Sequence, residues 1–134
     1  MVSSFFIIHD FVFRLPYNAI FGGVTGFTTK HFKLINGFSN LYFGWGGEDD
    51  DLRNRVVKVG LDITRYPLEI GRYYMAKHQK DKPNPERFKL LKKGKERLKK
   101  DGLTSLKYKV KSLDKKNLYT RILVDYSKKE LESD

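Results

Sequence analysis

The densest chemistry in the sequence is Phe43-Gly44-Trp45-Gly46-Gly47-Glu48-Asp49-Asp50-Asp51, in which four carboxylates follow a tryptophan flanked by glycines. Carboxylates this close repel one another, and a helix N-terminus offsets part of that repulsion through its partial positive charge. One reading is therefore an overbuilt helix cap. The other uses the glycines: flexible backbone on both sides of Trp45 lets the indole swing over a sugar ring, and a carboxylate beside it takes a proton from a hydroxyl. Composition alone leaves both readings open. A second grouping, Tyr74-Met75-Ala76-Lys77-His78, sets a thioether and an imidazole three residues apart, a spacing that on a turn or strand end puts both on one cation. On general grounds that pair reads as ordinary core or surface, because a metal wants at least one further carboxylate. The lysine run from Lys89 to Lys100 reads as a solvated face. It contains no aromatic residue, so it does not read as a nucleic-acid surface.

The chain that must position these residues has 134 of them, room for one domain of the common size of roughly 150 and too little for a two-domain enzyme. It carries 27 Lys and Arg against 16 Asp and Glu, a net charge of +11, which brings nucleic acid, anionic lipid and phosphorylated ligands into consideration without choosing among them. The absence of cysteine excludes disulfides, thiolate zinc sites and a cysteine nucleophile. No run approaches the 18 or so apolar residues of a membrane span, and Met1 to Ile8 has neither a basic stretch nor a small-residue cleavage site. If the protein works in a secretory organelle, its targeting signal is expected outside this sequence.

The pattern predicts a strand from Phe5 to Ile8, a turn at Leu15-Pro16-Tyr17, and close backbone approach at Gly22-Gly23-Val24-Thr25-Gly26. Thr28 or Thr29 caps a brief helix that stops at Asn36-Gly37. Asp49 to Val59 reads as a helix, acidic first and basic later, with Leu52, Val56 and Val59 on its buried stripe and Gly60 at its end. Leu61 to Tyr66 and Ile70 to Tyr74 read as extended, and Pro85 to Lys100 as an exposed amphipathic helix or a mobile loop feeding one. Two late strands are expected, Ser105 to Val110 and Leu118 to Asp125.

The order of these motifs resembles the C-terminal part of the animal β-1,4-galactosyltransferase family, including its β-1,4-N-acetylgalactosaminyltransferase members. The resemblance rests on Leu15-Pro16-Tyr17, Phe21-Gly22-Gly23-Val24, Ile35-Asn36-Gly37-Phe38-Ser39-Asn40, the tryptophan and acid block, Asn54-Arg55, Arg65-Tyr66-Pro67, Gly71-Arg72, Met75 with His78, Asn84-Pro85-Glu86-Arg87-Phe88, Asp101-Gly102-Leu103 and Leu118-Tyr119-Thr120. It spans roughly residues 10 to 126, leaving an unmatched apolar stretch at 1–9 and a charged tail at 127–134.

The resemblance implies an α/β chain forming the C-terminal part of a GT-A fold, without the nucleotide-binding half and its Asp-x-Asp metal ligand. It implies an inverting, Mn2+-dependent enzyme that moves Gal or GalNAc from the UDP-sugar to the 4-hydroxyl of a terminal N-acetylglucosamine on a glycan. Asp49 is then the general base, with Glu48 and Asp50 holding hydroxyl and amide groups of the sugars. Trp45 closes over the donor, Tyr17, Gly23 and Gly47 line the sugar sites, and Met75 and His78 hold the metal. Arg87, Phe88 and Leu91 form the acetamido pocket, on a loop from about Ala76 to Lys93 that orders on ligand binding. Vertebrate galactosyltransferases of this family carry a tyrosine where Ile20 stands, and an aliphatic residue leaves space for the donor's acetamido methyl, so UDP-GalNAc is favoured over UDP-Gal. The work would be done in the Golgi lumen, as part of a type II membrane protein whose anchor is not in this chain. The short chain by itself is expected to transfer no sugar, and the rival reading is a catalytically inactive, truncated sugar-binding fragment. No nucleic-acid partner is expected.

Overall fold

A computed structural model of the chain describes residues 2–8, 17–67, 69–74 and 78–126. The Leu15-Pro16 step, Met75 and the 127–134 tail lie outside these residues. Strand β1 (Val2–Ile8) is the spine of a mixed four-stranded sheet. It pairs antiparallel with β2 (Val24–Gly26) and parallel with β3 (Ile63–Arg65) and β4 (Arg72–Tyr74), the last along its far end, where Phe6 to Ile8 face Arg72 to Tyr74 in register. β2 is a strand where glycine content alone pointed only to close backbone approach.

Helix α1 (Thr29–Leu34) starts where the Thr28 hydroxyl accepts the His31 amide at 3.1 Å. It ends because Asn36 and Gly37 take φ values of 59° and 64°, a left-handed turn that asparagine and glycine tolerate best. Helix α2 (Glu48–Lys58) buries Leu52 and Val56 against Phe21 and Ile35, with Val59, Phe27, Phe32, Leu61 and Ile63 packed around them. The expected stripe is thus the core of the domain.

Helix α3 (Arg87–Arg97) lies against α2, and the segment to Lys93 that the resemblance casts as loop is helical from Arg87 onward. Gly94 and Leu98 are buried on its inner side, and that anchorage explains the helix. A Cβ at Gly94 would run into Asp51 Oδ1, so the two helices meet only because residue 94 has no side chain.

The segment from Leu98 to Ser105 is clasped by the turn after α1. Asn36 Nδ2 donates to Leu98 O and to Thr104 Oγ1, both at 2.9 Å, and the Thr104 amide returns to Asn36 Oδ1 at 3.0 Å. Asn40 donates its amide to Asp101 Oδ1 and its Nδ2 to Gly102 O, both at 2.8 Å. Under this clasp lies Arg55, 1% exposed. Its Nε meets Asp51 Oδ2 at 2.8 Å, its Nη2 meets Asp101 Oδ2 at 3.2 Å, and its Nη1 donates to Asp101 O at 2.6 Å.

The expected strand at Ser105 to Val110 is displaced. Ser105 belongs to a 3-10 turn (Leu103–Ser105), where its hydroxyl accepts the Gly102 amide and Asn40 Nδ2, each at 3.1 Å. The strand begins later, as β5 (Lys109–Lys115), and pairs antiparallel with β6 (Thr120–Asp125). Lys111 to Lys115 alternates poorly, so cross-strand pairing rather than local propensity decides the strand. This hairpin closes one side of an open cleft of about 370 Å³ lined by Tyr42, Phe43, Tyr108 and Tyr126 among others.

Candidate active site

The acid block forms the first turn of α2, behind an N-cap at Gly47 that has φ 95° and no side-chain cap bond. Its four carboxylates, which look interchangeable in sequence, have four different surroundings. Asp51 turns inward to Arg55, away from the others. Asp50 accepts the Tyr17 hydroxyl at 2.9 Å. Asp49 accepts the Asp50 amide on Oδ1 at 2.9 Å, and its Oδ2 sits so close over Gly22 that a Cβ there would collide with it. Glu48 Oε2 is shut off from solvent with no partner, an acceptor in want of a donor.

Burial pushes the Asp49 carboxyl above the ordinary aspartate range; the Asp50 amide pulls it down, and the charges of Asp50 and Glu48 push it further up. A half-buried acid with raised proton affinity is suited to take a proton from a hydroxyl. The Tyr17 hydroxyl is pushed above the usual tyrosine range, by burial first and then by its bond to Asp50 and the charges of all three acids. It therefore stays a donor and fixes the Asp50 carboxylate.

The turn bearing Tyr17 and Ile20 is closed by the Ile20 amide on Tyr17 O at 3.1 Å. Arg65 on β3 grips it from behind, donating to Asn18 O at 2.8 Å and to Ile20 O at 2.5 Å. Gly23 follows at φ 98° and leads the chain into β2. Replacing Gly22 by Ala would force Asp49 off its perch. We expect the Asp49 carboxyl to titrate closer to 3.8 in that variant, followed by carboxyl-carbon NMR.

The opposite wall is aromatic and cationic. Trp45 is 58% exposed, yet its backbone is zipped to the loop before α3: its amide donates to Lys82 O at 3.1 Å, and the Asn84 amide donates to Trp45 O at 2.9 Å. Arg87 places its guanidinium 5.9 Å from the Trp45 ring centroid and 4.4 Å from that of Phe88, while Nη1 donates to Asn84 O at 3.0 Å. The approach depends on glycine. A Cβ at Gly46 would lie 3.0 Å from Arg87 Cδ, and one at Gly47 would lie 2.9 Å from Tyr42 Cε1 and 3.3 Å from Arg87 Cβ. Phe88 is 68% exposed at the start of α3, with Leu91 half-buried on the same helix.

The structure thus groups Tyr17 with Asp50 and Trp45 with Gly47, Arg87 and Phe88, with the acid turn of α2 directly following Gly47. His78 is exposed, and its Nδ1 lies 2.9 Å from Gln79 O. Met75 lies outside the described residues, and among those described no three His, Cys, Asp or Glu side chains converge on a cation position. Gly22, Arg65, Asn84 and the Arg55 network are functional supports that chemistry-first reading of the sequence passed over. Their signals were present in the Phe-Gly-Gly, Arg-Tyr-Pro, Asn-Pro and Asp-Gly-Leu motifs and in the i,i+4 spacing of Asp51 and Arg55.

A family model described as the N-terminal domain of galactosyltransferase matches residues 3–79. That description names the amino-terminal domain, whereas the motif order resembles the C-terminal part; the family is common to both. β-1,4-Galactosyltransferase 2 of Cricetulus griseus is 49% identical over 118 residues, covering 86% of this chain and 32% of that protein. β-1,4-Galactosyltransferase 1 of Homo sapiens is 48% identical over 118 residues, with 86% and 30% covered. The chain spans about a third of the length of these relatives. The catalytic domain of Drosophila β-1,4-galactosyltransferase 7, solved in complex with xylobiose, aligns with a TM-score of 0.60 at 25% identity, covering 81% of this chain and 50% of that one. The architecture is accordingly part of a GT-A galactosyltransferase catalytic domain, as the motif order led us to expect. With a family match over more than half of its 134 residues, the chain belongs to the galactosyltransferase family.

Proposed function

We propose that the chain carries the acceptor and metal side of an inverting β-1,4-glycosyltransferase that moves Gal or GalNAc from a UDP-sugar to the 4-hydroxyl of a terminal N-acetylglucosamine. The observation that supports this best is Asp49: partly buried over Gly22, raised in proton affinity, and set in the helix turn that follows the Trp45 and Arg87 wall. Asp49 takes the proton of the 4-hydroxyl as that oxygen attacks the anomeric carbon, and the bond from that carbon to UDP breaks on the opposite face. One displacement gives one inversion. Glu48 and Asp50 accept hydroxyl or amide protons of the sugars, Trp45, Gly23 and Gly47 line the donor side, and Arg87, Phe88 and Leu91 receive the acetamido methyl.

His78 has one feature of a metal ligand: with Nδ1 turned to Gln79 O, Nε2 is the nitrogen left to meet a cation. Met75 and His78 would hold Mn2+, whose charge offsets that of the departing diphosphate. A Golgi-lumenal place of work goes with this reading.

The test is transfer by this chain extended upstream to the length of its relatives, with Mn2+, UDP-Gal or UDP-GalNAc and a GlcNAc-terminated acceptor, the new linkage read by NMR. A β-1,4 product is expected; retention of configuration or transfer to another hydroxyl overturns the assignment. Ile20 supports a preference for UDP-GalNAc, since it is half-buried, apolar and without a hydroxyl. Ile20→Tyr should move the ratio of kcat/KM values toward UDP-Gal by about 10- to 200-fold, the scale of one small group in an apolar pocket. An unmodified enzyme that already favours UDP-Gal would remove this donor preference and leave the transfer reaction standing.

A further inference from the structure

Lys89, Lys92, Lys93, Lys95, Lys99 and Lys100 are all exposed, the first four on α3 and the last two in the turn that continues it. At 100° per residue they fall within a single arc, opposite Gly94 and Leu98, which face α2. Arg97 is not among them, because its Nε is drawn 3.4 Å from Asp101 Oδ2. A face built for stability alone would alternate signs along i,i+4 pairs. Here lysine repeats at that spacing in the pairs 89 with 93 and 95 with 99, and Glu96 alone alternates with Lys92 and Lys100. Only Lys89 is paired among the described residues, with Glu86 at 2.9 Å, and Glu96 is the one acid within the run. No acid occupies the first turn of α3 either, whereas α2 has four there. The face holds six lysines against Glu96 and the Glu86 partner of Lys89, a positive surplus available to an external anion.

The position of the face identifies the anion. It begins beside Phe88 and Arg87 and runs about 18 Å to Lys100 at 1.5 Å per residue. In the reading proposed above, on which this inference rests, the terminal sugar of the acceptor sits at Arg87 and Phe88. In that reading the sugar is the end of a glycan, so the unit bonded to it is another sugar. We propose that the outer face of α3 docks the acceptor's inner glycan, and that this glycan carries sulfate or carboxylate groups.

The probe is a heparin-type sulfated oligosaccharide, titrated into the 134-residue chain at two salt concentrations. Trp45, the sole tryptophan, reports occupancy of the adjoining wall by its emission. Charge reversal at K92E, K95E and K99E together should weaken binding by about 10- to 100-fold, the sum of three modest ion pairs. The same reversal on the hairpin, at K109E, K115E and K116E, should change it less than about 3-fold. The neutralised set K92Q, K95Q and K99Q gives the same comparison if reversed charges disturb α3. Equal losses from α3 and hairpin variants would reduce the effect to diffuse attraction by a +11 chain and overturn the proposal. So would an acidic peptide or phosphatidylserine vesicle that binds α3 as tightly as the sulfated probe. A neutral GlcNAc-terminated oligosaccharide tests the underlying reading separately. If Trp45 ignores it while α3 still selects the sulfated probe, the acceptor assignment fails and the anionic glycan surface stands.

Discussion

Asp49→Asn is expected to cut transfer by roughly 10²- to 10⁴-fold and, at neutral pH, to raise the melting temperature of the same protein. Both effects have one origin. The Asp49 carboxyl is held above its ordinary value of 3.8 by burial, so the folded state resists its ionisation. For an acid raised in this direction, the stabilising contribution is complete below pH 3.8 and is lost as pH rises through the folded value. At neutral pH the charged side chain therefore opposes folding. Asparagine keeps the size and the oxygen that accepts the Asp50 amide, but it carries neither the charge nor the basicity. Melting temperature against pH, measured for both proteins, should show a gap that opens above pH 3.8 and levels off once Asp49 is ionised. A gap independent of pH would mean that burial of Asp49 exacts no cost. Near-normal kcat would pass the role of base to Glu48 or Asp50.

Arg55→Ala is expected to cost about 3–5 kcal/mol, which for a domain with a total of about 5–15 kcal/mol leaves little folded protein at warm temperatures. The substitution strands Asp51, which meets Arg55 at 2.8 Å in a region where Arg55 itself is 1% exposed, and takes one of two cations from Asp101, which keeps Arg97 at 3.4 Å and the Asn40 amide at 2.8 Å. It also withdraws the donor to the Asp101 carbonyl. Urea titration followed by far-UV circular dichroism gives the loss directly. Arg55→Lys should recover little, because one ammonium cannot reproduce a fork that reaches both acids and a carbonyl. A loss below about 1 kcal/mol in Arg55→Ala would show that Asp51 finds another partner.

Elements with strong local signals were legible in the sequence. The Thr28 cap, the stop at Asn36-Gly37 and the buried stripe of α2 depend on residues within a turn of one another, and each stands where spacing put it. What failed depends on partners far along the chain. Ser105 was read as strand because its contacts with Asn40 and Gly102 are invisible to periodicity. β2 is a strand only because β1 lies beside it. The acid block was read as one cluster, yet Asp51 is a core residue and Asp50 is bound by Tyr17, distinctions set by Arg55, Gly94 and Tyr17 rather than by local sequence. Glycines at 22, 46, 47 and 94 carry no chemistry, and their role emerges only when the atom that would be struck by a Cβ is known.

The clasp of Asn36 and Asn40 on Leu98 to Ser105 also governs when the molecule can come into being. Its bonds join residues 61 to 68 positions apart, so a loop of that length must close before any of them is gained. On a ribosome, α1 and α2 are complete long before Asp101 emerges, and until then Arg55 has Asp51 but not its second carboxylate. The nascent chain thus holds its core arginine against a single carboxylate, with part of its donor fork unused, through the synthesis of the whole lysine-rich helix. The turn that begins at Asp101 is what closes the clasp, and a chain that ends before it lacks those bonds.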